Sequence, residues 1–221
     1  MAFKKRISSK TSQKGKKQEI SSSKDRKKNG GTLSLYVTTY EIIYEPMQDE
    51  YTKLVPPEIE DEMNNELYDL TMGNPEKAID RLNQLKQQYP NYPRVYNYLS
   101  VAYSLLRDTK KLYETVEENY RKTPDYLFAK VNYAETCLDR GEVDKIPAIF
   151  DNKFDLKLLY PDRNEFHVSE AISFFGLLCD YYMAIGNLEQ ARHMLQTLKR
   201  IDPDNENTQI LETKLKIKEM N

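Results

Sequence analysis

Apolar residues recur three and four positions apart in two well-separated stretches of the chain, and polar residues fill the positions between them. The stretches cover residues 78–85 and 191–198, and their apolar members are Ala78, Ile79, Leu82, Leu85, Ala191, Met194, Leu195 and Leu198. This spacing places the apolar side chains on one face of a helix. Asn74 and Pro75 precede the first stretch, as a capping residue and a first helical residue. The pattern therefore predicts amphipathic helices that need neighbours to cover them.

The helical pattern breaks at regular intervals. Gly73, Arg107 and Gly141 follow one another 34 residues apart, and Gly186 comes 45 residues after Gly141, which is 34 plus an insertion of 11. After both Gly73 and Gly186, an Ala, two Leu and a Pro follow at distances of 5, 9, 12 and 17 residues. A fixed period of this length is typical of solenoids, in which each helical pair is covered by the next.

The residues inside each period resemble the tetratricopeptide repeat (TPR) family, whose 34-residue unit is a pair of helices, A and B. The matching positions are Tyr96, Leu99, Ser100, Tyr103 and Pro124 in the second unit, Tyr133, Ala134, Cys137, Gly141, Ile146 and Phe150 in the third, and Phe175, Leu178, Cys179, Tyr182, Gly186, Ala191 and Pro203 in the fourth. The second unit departs from the family at Leu112, where Ala is preferred, and the third lacks its closing Pro. In the first unit, Met63, Leu67 and Leu70 of helix A are out of register by about one residue.

The resemblance covers about residues 59–203 and implies an all-α, right-handed α-solenoid. The expected parts are helical pairs at about 59–92, 93–126, 127–171 with the insertion, and 172–205, followed by a capping helix at 206–221. Within the insertion, residues 151–170 are too apolar for a free loop. They are expected either to extend helix B and pack locally or to form a ledge that selects a partner.

The N-terminal region differs in composition from the rest. Residues 1–30 hold eleven Lys and Arg against two acids, so they carry +9, and the chain's net charge of −2 leaves −11 for the remainder. Residues 1–31 are therefore expected to form a disordered basic arm. In the extended or irregular segment 32–58, the alternation of Leu33, Leu35 and Val37 with Ser34, Tyr36 and Thr38 fits a strand. The recurrence of Tyr36, Tyr40 and Tyr44 every four residues fits a helix face, but the Val, Thr and Ile content favours the strand. Such a strand would pack on the helical body or pair with another chain.

Several uses are open for the arm. It could be a solubilising tail, or it could contact phosphates of nucleic acid or ribosomes. A membrane-surface role and a mitochondrial presequence lack the necessary apolar pattern. The candidate phosphate-contacting residues are Lys4, Lys5, Arg6, Lys16, Lys17, Arg26, Lys27 and Lys28.

Composition narrows the protein class further. The mean hydropathy is −0.78, and no apolar run approaches the ~18 residues that a membrane span requires. The positive start is not followed by the apolar core of an export signal. Cys137 and Cys179 are too few for a disulfide framework and fall on repeat core positions. We therefore expect a cytoplasmic protein with buried thiols.

The sequence contains no recognisable catalytic constellation. His167 and His193 are far apart and lack partners at metal-ligand spacing. It has no phosphate-binding glycine loop and no nucleophile elbow. We expect no enzyme, no cofactor and no metal site.

The TPR resemblance implies that helices A line a concave groove that binds a partner. Carried over unit by unit, the candidate groove residues are Arg94, Asn97, Tyr98, Val101, Phe128, Asn132, Glu135, Asp139, Leu177 and Asp180. The set combines aromatic, amide and acidic side chains, which suits a peptide with an apolar anchor and a basic or amide group.

One TPR subfamily grips a C-terminal carboxylate with Lys, Asn and Arg on consecutive helices A. Here Met63 and Leu67 stand at the first Lys and Asn places, and Tyr98 and Phe128 at the next two. Starting one unit later retains only Asn132. Because a carboxylate would find no counter-charge, the sequence predicts no clamp of this chaperone-binding kind.

Two functions follow as expectations. The first is a non-catalytic protein–protein interaction scaffold or adaptor that binds a peptide or helix of a partner in the groove. The alternative is an RNA- or ribosome-associated factor tethered by the basic arm.

Overall fold

The computed structural model describes residues 39–45 and 47–220. Its helices are α1 (Pro57–Glu62), α2 (Tyr68–Gly73), α3 (Pro75–Gln88), α4 (Pro93–Leu105), α5 (Thr109–Lys122), α6 (Leu127–Asp139), α7 (Ile146–Ile149), α8 (Leu156–Leu159), α9 (Val168–Ala184), α10 (Leu188–Ile201) and α11 (Glu206–Met220), and its strands are β1 (Glu41–Ile43) and β2 (Glu165–His167). The expected all-α helical repeat is confirmed, and its right-handed sense stays a prediction. The basic arm and residues 32–38 lie outside the described residues.

The turns between helices A and B share one backbone geometry in the second, third and fourth units. Arg107, Gly141 and Gly186 have φ angles of 58°, 73° and 77°. In each turn the following residue donates its N–H to a carbonyl five positions earlier, for example Asp108 to Tyr103 at 2.9 Å. This bond encloses a shorter one, for example from the Arg107 N–H to the Ser104 carbonyl at 3.0 Å. Together the two bonds form a Schellman motif, which requires a residue of left-handed conformation after the helix. The 34-residue period therefore marks the positions at which successive helices A end.

The helices B begin at side-chain caps that follow the same period. The side-chain oxygens of Asn74, Asp108 and Asn187 accept the N–H of the third following residue at 3.2, 3.1 and 3.2 Å. In the third unit the corresponding residue is Glu142, whose side chain caps nothing. Helix B there is only a 3-10 turn, Val143–Lys145, followed by the short α7. A poor cap thus coincides with the shortest helix B.

The register shift in the first helix A has a structural cause. A π-helical turn, Met63–Leu67, lies between α1 and α2. Such a turn widens the helix by one residue and rotates everything after it. Met63 and Leu67 remain buried, while Tyr68 and Met72 are 53% and 54% exposed.

Two hydrophobic clusters make up most of the core of the described residues. The N-terminal core contains Val55, Met63, Leu67, Ala78, Leu82, Leu85, Tyr92, Val95, Leu99 and Tyr103. The C-terminal core is larger and is built mainly from α6 to α11, with Phe150, Phe166 and Phe174 among its fully buried side chains. No residue belongs to both of these clusters.

The insertion packs locally, as one of its two interpretations predicted, but it does not extend helix B. Residues after α7 turn at Asp151 and Asn152, both with positive φ, and then form α8 and β2. Leu156 and Phe166 are fully buried in the C-terminal core. β2 pairs in parallel with β1, with Ile42 opposite Phe166. A strand of the N-terminal segment thus lies at 41–43 and packs on the helical body of its own chain. The stretch whose alternation predicted a strand, beginning at Leu33, lies almost wholly outside the described residues.

The expected C-terminal helix is present as α11, which packs on α9 and α10. Gly176 lies at this contact, because a Cβ there would come within 3.1 Å of the Asn207 side chain. Leu211 and Leu215 of α11 are buried in the C-terminal core. The helix thus covers the last repeat, as a solenoid cap does.

Candidate functional site

A groove of about 450 Å³ lies between α4 and α6, with α5 as its floor. Ser104, Leu105, Leu112 and Val116 contribute to its lining. Six of the ten groove residues expected from the sequence also line it, and these are Asn97, Val101, Phe128, Asn132, Glu135 and Asp139. The helical period explains this grouping, because residues three, four and seven positions apart share one face of a helix.

The groove has an apolar wall and an acidic wall. Val101 and Leu105 of α4 are 40% and 49% exposed, which leaves apolar surface open to a ligand. Opposite them α6 presents the carboxyl groups of Glu135 and Asp139, one helical turn apart. Desolvation of the Glu135 carboxyl, and then the negative charges of Asp139 and Asp180, raise its pKa to about 7. A cation placed beside Glu135 would offset the repulsion between its carboxylate and those of Asp139 and Asp180.

The amide side chains at the end of the groove bond to one another. The Asn97 Oδ1 atom accepts hydrogen bonds from Asn119 Nδ2 at 3.1 Å and from Asn132 Nδ2 at 3.3 Å. Asn97 Nδ2 donates to the Tyr126 hydroxyl at 3.5 Å. These contacts join α4, α5 and α6, so the two predicted asparagines hold the groove walls in place.

Arg94 and Tyr98 lie outside the lining of this groove. The Arg94 guanidinium pairs with the Glu60 carboxylate, which also accepts the Tyr92 hydroxyl. Arg94 lines a neighbouring cavity of about 640 Å³ together with Phe128. Tyr98 is partly buried, and its ring lies 6.3 Å from that of Tyr68. Both predicted residues thus contact the first unit.

The fourth unit requires a correction. Leu177 is 2% exposed and lies in the same buried cluster as Leu211 and Leu215 of α11. A partner cannot reach Leu177 in this structure, because α11 packs over that face of α9. The expectation had not taken this covering helix into account. Asp180 is ion-paired with Lys214 of α11, at 3.0 and 3.1 Å.

The sequence analysis also missed several exposed or lining residues. Ser104, Leu112 and Val116 complete the groove, and Leu112 was noted only as a departure from the family. Tyr68 and Met72 present apolar surface on the first helix A. The register shift in the first helix A was the sequence signal of the π-helical turn, but it did not indicate which side chains the turn leaves exposed.

The described residues offer little catalytic chemistry. Cys137 and Cys179 are buried, as expected, and burial raises the pKa of the Cys179 thiol to about 12. The His167 Nδ1 atom accepts the N–H of Ser169 at 3.3 Å and so caps α9. Within residues 39–45 and 47–220, no cluster of three or more His, Cys, Asp or Glu side chains could hold a metal ion. In the same part of the chain, no helix is long and apolar enough to span a membrane.

The repeat geometry agrees with a comparison against known families. Residues 66–92 match the tetratricopeptide repeat. The match covers the last part of the first helix A and all of α3, so it confirms a TPR-like unit in this segment. No curated protein and no solved structure matches the chain. The TPR-like nature of the other units rests on the turns, caps and helical pairs described above.

Proposed function

We propose that the protein is a non-catalytic interaction scaffold that binds a segment of a partner protein in the groove between α4 and α6. The observation that carries this proposal is the apolar wall of Val101 and Leu105 on α4 facing the acidic pair Glu135 and Asp139 on α6. The TPR match supports a protein-interaction scaffold as the type of function.

The two walls specify the chemistry of the bound segment. Exposed Val and Leu side chains favour an apolar anchor, since burial of apolar surface contributes about 25 cal/mol per Å². Glu135 and Asp139 favour a Lys or Arg close to that anchor. Because the pKa of Glu135 is raised to about 7, a basic partner group would displace its proton. Binding should therefore strengthen as the pH rises from 6 to 8.

An RNA- or ribosome-associated role is the alternative. It rests on the +9 charge of residues 1–30, which lie outside the described residues. Contacts between Lys or Arg and phosphates would weaken steeply with salt. The same capture experiment separates this role from groove binding.

The test is quantitative capture from source lysate by three forms of the full chain and a control variant, with and without nuclease. The forms are the native sequence, a groove variant (Glu135→Gln with Asp139→Asn) and an arm variant with the eight candidate basic residues changed to Gln. Asp80→Asn with Glu189→Gln is the matched control, because it removes the same charge from exposed sites on α3 and α10.

Groove binding predicts one protein partner that the native, control and arm forms retain through nuclease treatment and that the groove variant loses. Loss of capture with the arm variant or with nuclease would overturn the scaffold as the primary function. It would favour a nucleic-acid-tethered factor.

A further inference from the structure

One segment N-terminal to the repeats contacts both hydrophobic cores. Near its start, β1 pairs with β2, and Ile42 packs against the C-terminal core. At its other end Val55 is a buried member of the N-terminal core, 7% exposed. We call residues 40–45 and 47–55 the clasp.

The clasp is attached to the C-terminal core at several points. The Tyr40 ring meets the edge of Phe166 at 5.2 Å between centroids, and the Glu41 N–H donates to the Asn164 carbonyl at 2.9 Å. The Tyr44 hydroxyl donates to the carbonyl of Ile201, at the end of α10, at 2.8 Å. These bonds tie the segment to both the insertion and the fourth unit.

The middle of the clasp reaches from one core towards the other. Tyr51 packs against the N-terminal core, and its ring lies 5.1 Å from that of Tyr126 at the start of α6. The Asp49 carboxylate accepts the N–H groups of Tyr51 and Thr52 at 2.9 and 3.0 Å. This cap stabilises the 3-10 turn, Tyr51–Leu54, and so orients the Tyr51 ring.

The direct junction between the two cores combines polar and apolar contacts. At the interface of α4, α5 and α6, Asn97 bonds to Asn119 and Asn132, and Thr123 donates to the Asn119 side chain at 2.9 Å. A hydrogen bond of this kind contributes only about 1 kcal/mol net. The same interface also buries apolar side chains that belong to neither cluster, among them Val116 at 2% exposed, and the rings of Tyr120 and Tyr133 stack at 4.5 Å between centroids. The clasp is therefore a second connection between the two cores, beside this direct one.

We propose that the clasp braces this junction and holds the two halves of the solenoid at a fixed angle. Its two ends are anchored in different cores, and its Tyr51–Tyr126 contact crosses the gap between them. Release of the clasp removes this second connection, and the direct contacts of α4, α5 and α6 are then left to set the angle between the halves.

By bracing the junction, the clasp also sets the width of the groove between α4 and α6. This part of the proposal rests on the proposed function. One wall of the groove is α4, which belongs to the N-terminal half, and the other is α6, which belongs to the C-terminal half. A hinge at their junction changes the distance between Val101 and Glu135. The clasp thus sets the groove width without touching a ligand there.

The test measures a distance in the full chain between spin labels placed by Gln87→Cys on α3 and Gln196→Cys on α10. Both sites are exposed, while the native Cys137 and Cys179 are buried and should stay unlabelled. Tyr51→Ala should shift the distribution to longer distances and broaden it. Leu54→Ala is the matched control, because Leu54 is in the same turn, is 48% exposed and joins neither described core. It should leave the distribution unchanged.

A second form of the protein separates release of the clasp from the local loss of packing that removal of the Tyr51 side chain causes. A protease site inserted after the exposed Gln48 allows the clasp to be cut between its two anchors without removing any side chain. The distances are compared before and after cleavage, with helix content followed by circular dichroism. A shift and broadening on cleavage support the brace. Because cleavage leaves the Tyr51–Tyr126 contact in place, the two forms are read together. An unchanged distribution both after cleavage and in Tyr51→Ala overturns the brace, whatever the capture experiment shows about the groove.

Discussion

Arg107 occupies in the second unit the backbone position that Gly141 occupies in the third. Their φ angles are 58° and 73°, and the residues before them end α4 and α6 in the same way. The N–H of Arg107 donates to Ser104 and that of Gly141 to Leu138, at 3.0 and 2.9 Å. Because a left-handed conformation costs an L residue about 1–2 kcal/mol, the second unit holds strain that the third avoids.

Relief of this strain should stabilise the protein. We expect Arg107→Gly to raise the free energy of unfolding by about 0.5–1 kcal/mol, since glycine's extra backbone entropy offsets part of the gain. Urea denaturation followed by circular dichroism measures the change. Arg107→Ala is the control: it removes the side chain but keeps the Cβ, so it should give no gain. A glycine variant no more stable than the alanine variant would contradict the prediction.

The helix B caps allow a matched comparison across one period. The Asp108 carboxylate accepts the Lys111 N–H at 3.1 Å, whereas Glu142, 34 residues later, makes no side-chain cap. Asp108→Ala should therefore lower the free energy of unfolding by about 1 kcal/mol. Glu142→Ala removes only an exposed pair with Lys145 and should change stability by less than about 0.5 kcal/mol. Equal losses in the two variants would show that the cap is not the cause.

The parts of the fold that the sequence predicted are those set by local chemistry. Gly141, Gly186 and Asn187 stop and start helices through bonds to near neighbours, so their spacing carries the repeat. The clasp has no such signal, because the Tyr44–Ile201 bond joins residues 157 positions apart. Only the folded chain brings these two residues together.

The groove also contains residues that local spacing could place and one whose exposure depends on distant packing. The helical period was enough to place Asn132, Glu135 and Asp139 on one face of α6. It failed at Leu177, because the exposure of a helical face depends on what packs over it. In this chain α11 packs on α9.

Truncation of Leu177 should lower the stability of the protein, whereas truncation of Val101 should lower partner binding. Leu177→Ala deletes a side chain that is 2% exposed, and such deletions cost about 2–5 kcal/mol. Val101→Ala removes a side chain that is 40% exposed and should cost less than about 0.5 kcal/mol. We expect only the Val101 variant, fully folded, to capture less partner. Denaturation curves and capture yields measure the two effects, and undiminished capture by Val101→Ala would exclude it from the binding surface.

Glu135 should make stability depend on pH. Its pKa is raised from 4.5 to about 7 in the folded protein, first by desolvation of the carboxyl and then by the negative charges of Asp139 and Asp180. The folded state therefore holds a proton that the unfolded chain has released, and stability falls as the pH rises through this window. Glu135→Gln cannot lose a proton, so it should match the native protein near pH 4.5 and be more stable at pH 8. Because the side chain is exposed, we expect a gain of at most about 1 kcal/mol. Denaturation at both pH values, with Glu189→Gln as an exposed control, measures it, and a gain that is the same at both pH values would show that the titration of Glu135 is not its source.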